Sequence, residues 1–483
     1  MASPGPLAAS PSSPLPLPSD RGAVLFVWGI WAVMGISVLL YIRANGPNVP
    51  FGDEWELVPV LTHHQPLTLK YLWSLHNEHR IVLPRLVYHG LAKLTGADFR
   101  AGMYVIAAAM GGLAAAMIGA AKRMRDWTSY ADAFFPLALL HLAHGENLLW
   151  SFQICFLSST LLVGGFLFLI LHSRQPLSWR TALTGGLYLV GLTLCGANGL
   201  LLVPPLAVWL TYWALRDRQT AGRAGIGNLA LVLLLGGTAL VLMKLYFRGF
   251  ARTSPPSPSW LATAEVAGEF LASSFGAGGL PWWPYIGYAV GGILAFAASV
   301  LLVHWWRQPP ERVRCAGMLL LSVGLVGLAL AIGWGRGSYS SVGNHPGFAF
   351  RYSMLAVPLL CAVFFLGEIT GRAALGRFLQ MTLFTCLGVL LVPNTQSGLF
   401  FATFKVNLVK AMERDLKPGC TSRQLAQKHR VVYCDSPEYL EACLEMLRKA
   451  GIGKYKRLSP PPALEGLGPV STGSGGPKPP NAG

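Results

Sequence analysis

The sequence predicts an all-α polytopic membrane protein with roughly eleven transmembrane helices. It adds a long first outer loop of interface helices and a small α/β unit near the C-terminus. Three observations carry this. Of 483 residues, 53% are hydrophobic and 12% charged, where an average soluble domain has about 25% charged residues. Apolar stretches of near-membrane length recur along the whole chain. The basic residues behind the formal net charge of +17 fall mostly in short gaps between those stretches, as membrane topology demands. No nucleic-acid motif accompanies that charge, so the expected partners are the lipid bilayer and its anionic headgroups, with no nucleic acid.

The elements follow in chain order. Residues 1–21, rich in Pro and Ser, are predicted to be a disordered tail. The apolar run after them lacks a clear small-residue cleavage site and reads as a retained helix. The transmembrane domain covers 22–393, with spans at 22–41, 101–120, 131–144, 150–171, 181–196, 199–215, 225–246, 285–306, 315–334, 352–370 and 378–393. The third and fifth are short for a bilayer. Alternate gaps hold Lys122, Arg123 and Arg125, then Arg174 and Arg180, then Arg216, Arg218 and Arg223. Arg307, Arg312 and Arg314 follow, then Arg372 and Arg377, whereas the gaps "HGEN" and "GAN" hold no Lys or Arg. The positive-inside bias then places the N-terminus in the cytoplasm and the loops 42–100, 247–284 and 335–351 outside. An odd number of spans puts the C-terminus outside as well. The Ala/Gly/Arg-rich usage suits a bacterial inner (cytoplasmic) membrane.

The loop 42–100 reads as interface helices. "DEWELVPVL" admits a capping box with Asp53 as N-cap and Glu56 at the third helical position. "SLHNEHR" places His76 and His79 on one helical face. "IVLPRLVYHGLAKLTG" shows one apolar face, with Arg85, His89 and Lys93 on the other. In the C-terminal unit, 394–458, Thr421 and Gln424 form a capping box and "RVVYC" reads as a short strand. Ser436, Pro437 and Gly451 bound a helix with the apolar stripe Leu440, Cys443, Leu444 and Leu447. Cys420 and Cys434 read either as separate thiols or as a disulfide. Residues 459–483 are low-complexity Pro/Gly/Ser.

The residues that bear chemistry gather on the outer side. Asp53 and Glu54 follow the first span. A carboxylate there can cap a helix, accept a proton from an attacking hydroxyl, or hold a divalent cation. A cap explains one acid and leaves its neighbour unexplained. His76, Glu78 and His79 lie further along the loop, but the order is not HExxH and no third zinc ligand stands out. Arg80 and Arg85 suit phosphate. Glu146, in "HGENLLW", has no basic neighbour: it is a solvated turn acid or a second acid of the same pocket. Arg336, His345, Arg351 and Tyr352 precede a late span, in a loop whose glycines suggest mobility. Arg351 opposes the positive-inside bias and reads as a phosphate anchor, to bulk lipid or to a substrate. Pro204 and Pro205 predict a kink.

An inside N-terminus, one span and a long outer loop opening on an acidic pair resemble the GT-C superfamily of polytopic glycosyltransferases. So do "GENLLW", the late "FRYSMLAVP" and an outer C-terminal unit. The resemblance covers most of the chain in architecture and few residues in motif. It implies a polyprenyl-phosphate-linked sugar as donor, an acceptor that is a glycan, lipid or protein, and transfer on the outer face of the membrane. It implies Asp53 as base, with Glu54 beside it as a second catalytic group or as co-ligand with Asp53 of a divalent cation (Mg2+ or Mn2+). Glu146 would orient the acceptor or metal. Arg80, Arg85, Arg351 and Tyr352 would bind the substrate phosphate, with His76, Glu78, His79 and His345 as further candidates. An O-antigen polymerase or ligase, a multi-pass transporter and a non-catalytic scaffold are the competing readings.

Overall fold

The computed structural model describes residues 21–460 except Thr253, Val342 and residues 431–435. Residues 1–20 and 461–483 of the predicted tails, residues 431–434 of the strand "RVVYC", and with them Cys434 of the disulfide alternative, therefore lie outside the described residues, whereas Arg21 already belongs to the first helix. Among the described residues the secondary structure is helical, with isolated β-bridges and no strand.

The longer helices are α1 (Arg21–Asn45), α2 (Val82–Thr95), α3 (Ala101–Arg125), α4 (Ile154–His172) and α5 (Trp179–Leu194). Then come α6 (Val203–Tyr246), α7 (Trp260–Ala272), α8 (Tyr285–Arg307), α9 (Arg312–Arg336), α10 (Tyr352–Phe364) and α11 (Ala373–Phe401). The chain closes with α12 (Asn407–Asp415), α13 (Ser422–Lys428) and α14 (Pro437–Lys449). Helix α6 breaks at Gly222, whose φ of 58° and ψ of −130° are not helical. Nine helical stretches among the described residues are long and apolar enough to cross a membrane. This is a polytopic membrane protein.

Two predicted spans differ from that set. The stretch 131–144 is not one helix but short pieces, including Tyr130–Ala133, Phe134–Leu139 and Leu142–His144. Buried polar side chains interrupt it, and His144 Nε2 lies 3.0 Å from the Ala138 carbonyl. The stretch 181–196 falls in α5, a helix of 16 residues capped by Ser178, whose hydroxyl accepts the Thr181 N–H. At about 1.5 Å per residue it is shorter than a bilayer core. Exposed aromatic side chains mark both ends of the bundle, as at two membrane interfaces. Trp260, Tyr285 and Tyr288 lie at one end, and Trp179 and Trp306 at the other.

The first loop departs most from its predicted form. Gly52–Leu57 is a 3-10 turn and Leu69–Trp73 a five-residue helix. Helix α2 is turned inside out relative to the sequence reading. Arg85 and His89 are buried while Leu86 and Leu94 are exposed. Arg85 donates to the carbonyls of Tyr71 (2.7 Å) and Ser74 (2.8 Å). Those carbonyls satisfy the cation inside, and the two leucines lie on the exposed face.

The C-terminal unit follows its caps. Thr421 and Gln424 exchange hydrogen bonds, and α14 buries Leu440, Cys443, Leu444 and Leu447 before Gly451 turns the chain at φ 67°. It docks on the first loop: Cys443 Sγ donates to the Trp55 carbonyl at 3.6 Å, and the Asn48 N–H donates to Glu413 at 3.1 Å.

Candidate functional site

Gly52, at φ 52°, turns the chain beneath Trp150, where a Cβ would stand 2.9 Å from the indole. In the turn that follows, Glu54 folds back and accepts the Phe51 N–H at 2.9 Å. This cap sits two residues earlier than the predicted Asp53–Glu56 box. Glu54 is buried, and desolvation pushes its carboxyl up to about 8 despite backbone hydrogen bonds from Phe51 and Phe152. Its neighbour Asp53 faces the other way and stays one-third exposed. The two acids of the pair therefore do different things.

Asp53 lines a cavity of about 370 Å³ at this end of the bundle. The opposite wall of the loop is the "HNEH" turn. It is not helical: the His76 N–H donates to the His79 carbonyl at 2.7 Å and the His79 N–H returns the bond at 2.8 Å. Asn77 takes the tight corner at φ 50°. This places His76, Asn77, Glu78 and His79 all on the cavity, instead of setting His76 and His79 on one helical face.

His76 Nδ1 lies 2.7 Å from Glu56 Oε2 and Nε2 lies 3.5 Å from Asp53 Oδ2. Both ring nitrogens face carboxylates, which favour the protonated imidazole. Burial opposes the charge, but the two acids outweigh it and raise the imidazole to about 9. His79 goes the other way: burial lowers it, as do the charges of His76 and Arg336. Its Nδ1 sits 3.2 Å from the Tyr246 hydroxyl.

The start of α10 supplies Arg351 and Tyr352, and the end of α9 supplies Arg336. Arg351 is held by the "HGEN" segment. Its guanidinium meets Glu146 at 2.8 Å, and its N–H donates to the same carboxylate at 3.2 Å. Asn147 donates to the Phe350 and Arg351 carbonyls, and His144 Nδ1 lies 2.8 Å from Ser353 Oγ. Glu146 thus stands behind Arg351 and does not line the cavity. Arg336 is different. It lies over the Tyr339 ring at 5.8 Å and has no ion pair among the described residues. Trp150, Phe152 and Phe156 add aromatic surface, and Gly196–Asn198, between α5 and α6, complete a wall.

Of the candidates named from the sequence, Asp53, His76, Glu78, His79, Arg351 and Tyr352 meet on this cavity. Arg80, Arg85, Glu54, Glu146 and His345 do not line it. Arg80 is buried, its guanidinium taken by the carbonyls of Trp73, Tyr246 and Arg248. His345 Nδ1 lies 2.7 Å from the buried carboxylate of Glu269. Arg336, named with the late outer loop, does line the cavity, whereas Glu56 is readable in the sequence as a cap and not as part of the site. Nothing in their spacing marks one as unpaired and the other as a partner of His76.

Asp53, Glu56 and His76 each offer a ligand atom within 4.8 Å of the others. Two oxygens and one imidazole nitrogen suit Mn2+ better than Mg2+, which prefers oxygen alone. His76 would first lose a proton. Glu54, on the far side of the turn, does not join this group. No protein-family model, characterised protein or solved structure matches the chain.

Proposed function

We propose that the protein is a membrane glycosyltransferase that moves a sugar from a polyprenyl-phosphate-linked donor to an acceptor. The observation that carries this is the meeting, in one cavity, of a partly exposed carboxylate, Asp53, with a guanidinium, Arg336, that has no ion pair among the described residues. The first suits removal of a hydroxyl proton, and the second suits charge that develops on a departing phosphate. Asp53 takes the proton from the acceptor hydroxyl as that oxygen bonds to the anomeric carbon. The bond from the anomeric carbon to the donor's phosphate oxygen breaks, and polyprenyl phosphate leaves with the electron pair. Arg336, with the outer edge of Arg351, holds that phosphate. A divalent cation on Asp53, Glu56 and His76 would supply Lewis-acid orientation of the acceptor oxygen. The apolar wall of Leu201, Leu328 and Ile332 suits the first isoprene units.

The reading includes a topology. The stretches 130–148 and α5 complete eleven crossings beside the nine long helices. The basic ends carrying Arg125, Arg174 and Arg314 face the cytoplasm. The cavity and the C-terminal unit face outward from a bacterial inner membrane.

The test is mass spectrometry of polyprenyl-linked sugars in membranes of a deletion strain carrying wild type or Asp53→Asn at equal expression. One lipid-linked sugar should accumulate in the deletion and the Asp53→Asn strain and fall with wild type. An unchanged lipid pool in all three would remove the transferase reading in favour of a transporter or scaffold.

A further inference from the structure

Arg336 and Arg351, the two cavity arginines, are the two ends of one loop. Arg336 closes α9 and Arg351 caps α10, and the described residues between them carry no helix longer than a 3-10 turn, so the placement of the loop that joins the two arginines depends on what packs against it. Glu146 and Asn147 hold its Arg351 end, and α7 holds the rest. Gly333, at the end of α9, packs so closely that a Cβ would stand 2.1 Å from the Thr263 carbonyl. Gly347 lies equally tight on α7, 2.4 Å from the Val266 carbonyl by the same measure.

One turn beyond the Val266 contact, against Gly347, lies a fully buried carboxylate, Glu269, at 0% exposure. One oxygen accepts the Gly347 N–H at 2.9 Å, and the other meets His345 Nδ1 at 2.7 Å. Burial raises the Glu269 carboxyl, with His345 and Gly347 opposing. Glu265 is the other acid that acts on Glu269. Burying a carboxylate costs several kcal/mol unless its partners are well placed, and an apolar side chain would fill the space at lower cost. A carboxylate with two directional partners does what an apolar side chain cannot: it fixes the register of the loop.

We propose that Glu269 and His345 are positioning residues that set the phosphate site by fixing the loop between Arg336 and Arg351. Neither lines the cavity. Both act through the arginines, and the inference rests on the donor-phosphate reading above. Placement of a binding pair is sensitive to ångström-scale shifts. Loss of the His345–Glu269 contact should therefore weaken phosphate binding without unfolding the bundle, since His345 is partly exposed.

The probe is undecaprenyl phosphate, titrated against detergent-purified full-length protein while Trp fluorescence is followed. Arg336→Ala should weaken binding by at least about tenfold. His345→Ala should weaken it by about tenfold, with a melting temperature close to wild type. His345→Gln, whose amide can donate to Glu269, should restore affinity to within about twofold. A merely structural role would lower the melting temperature of both His345 variants and leave affinity unmoved. If His345→Ala binds like wild type while Arg336→Ala does not, the inference fails and the phosphate site stands. If Arg336→Ala also binds like wild type, or if wild type does not bind the probe, the donor reading fails and the inference with it.

Discussion

Asp53 and Glu54 show how much turns on one peptide unit. Adjacent acids in a 3-10 turn point to different sides, so one is left to solvent and the other to the interior. Burial raises the Glu54 carboxyl from its ordinary 4.5 to about 8. Across that window the unfolded chain has lost the proton and the folded chain retains it, so stability falls as pH rises from the lower value to the upper. Glu54→Gln keeps the oxygen that accepts the Phe51 N–H and has no proton to lose. Its melting temperature should exceed that of wild type at about pH 8 and converge on it toward about pH 4.5, as read by thermal unfolding at a series of pH values. A constant difference across that range would mean that Glu54 is not the titrating group. The acid pair was visible in the sequence. Which acid is buried was not, because that depends on Trp150 and Phe152 covering one side of the turn from a segment about a hundred residues away.

The loop elements differ from their sequence expectation for a physical reason. Helical spacing places polar residues outward and apolar ones inward only where a polar side chain has no partner inside. In this loop the arginines instead find backbone carbonyls inside. Arg80, just before α2, is the clearest instance. It ties the "HNEH" turn to the end of α6 through three backbone carbonyls, so it secures the shape of the cavity wall and leaves no edge for a phosphate. Arg80→Met should strand those carbonyls and cost about 3 kcal/mol, lowering the melting temperature by several degrees. Arg336→Ala, which breaks no ion pair among the described residues, should leave it unchanged. Equal melting temperatures for the two variants would contradict the division between a structural arginine and a binding one.

For the molecule as a whole, the C-terminal unit and the first loop are one body at the cavity end. Lys410 donates to the Ala44 carbonyl at 2.7 Å, and Lys454 meets Glu413 at 2.9 Å beside the Asn48 contact. Whichever side of the membrane holds the cavity therefore also holds the C-terminus of the described chain. An alkaline phosphatase fused after Gly483 should be active in living cells, because that enzyme matures only outside the cytoplasm, and a fusion within the Arg216–Arg223 gap should be inactive. The reverse pattern would invert the proposed topology.

Composition and the spacing of apolar runs determined the membrane class, the helical character and the positions of most spans. The hydrophobic requirement is local and strong, and twenty apolar residues in a row have few other uses. The C-terminal helix was equally legible, since Pro437 and Gly451 act on their own backbones. The tertiary structure decided which charges meet. The capture of Arg351 by Glu146, the burial of Glu269 against His345 and the tie of Arg80 to Tyr246 all depend on contacts between residues far apart in the chain. Charge neutralisation is a property of such contacts, and no spacing within one segment encodes it.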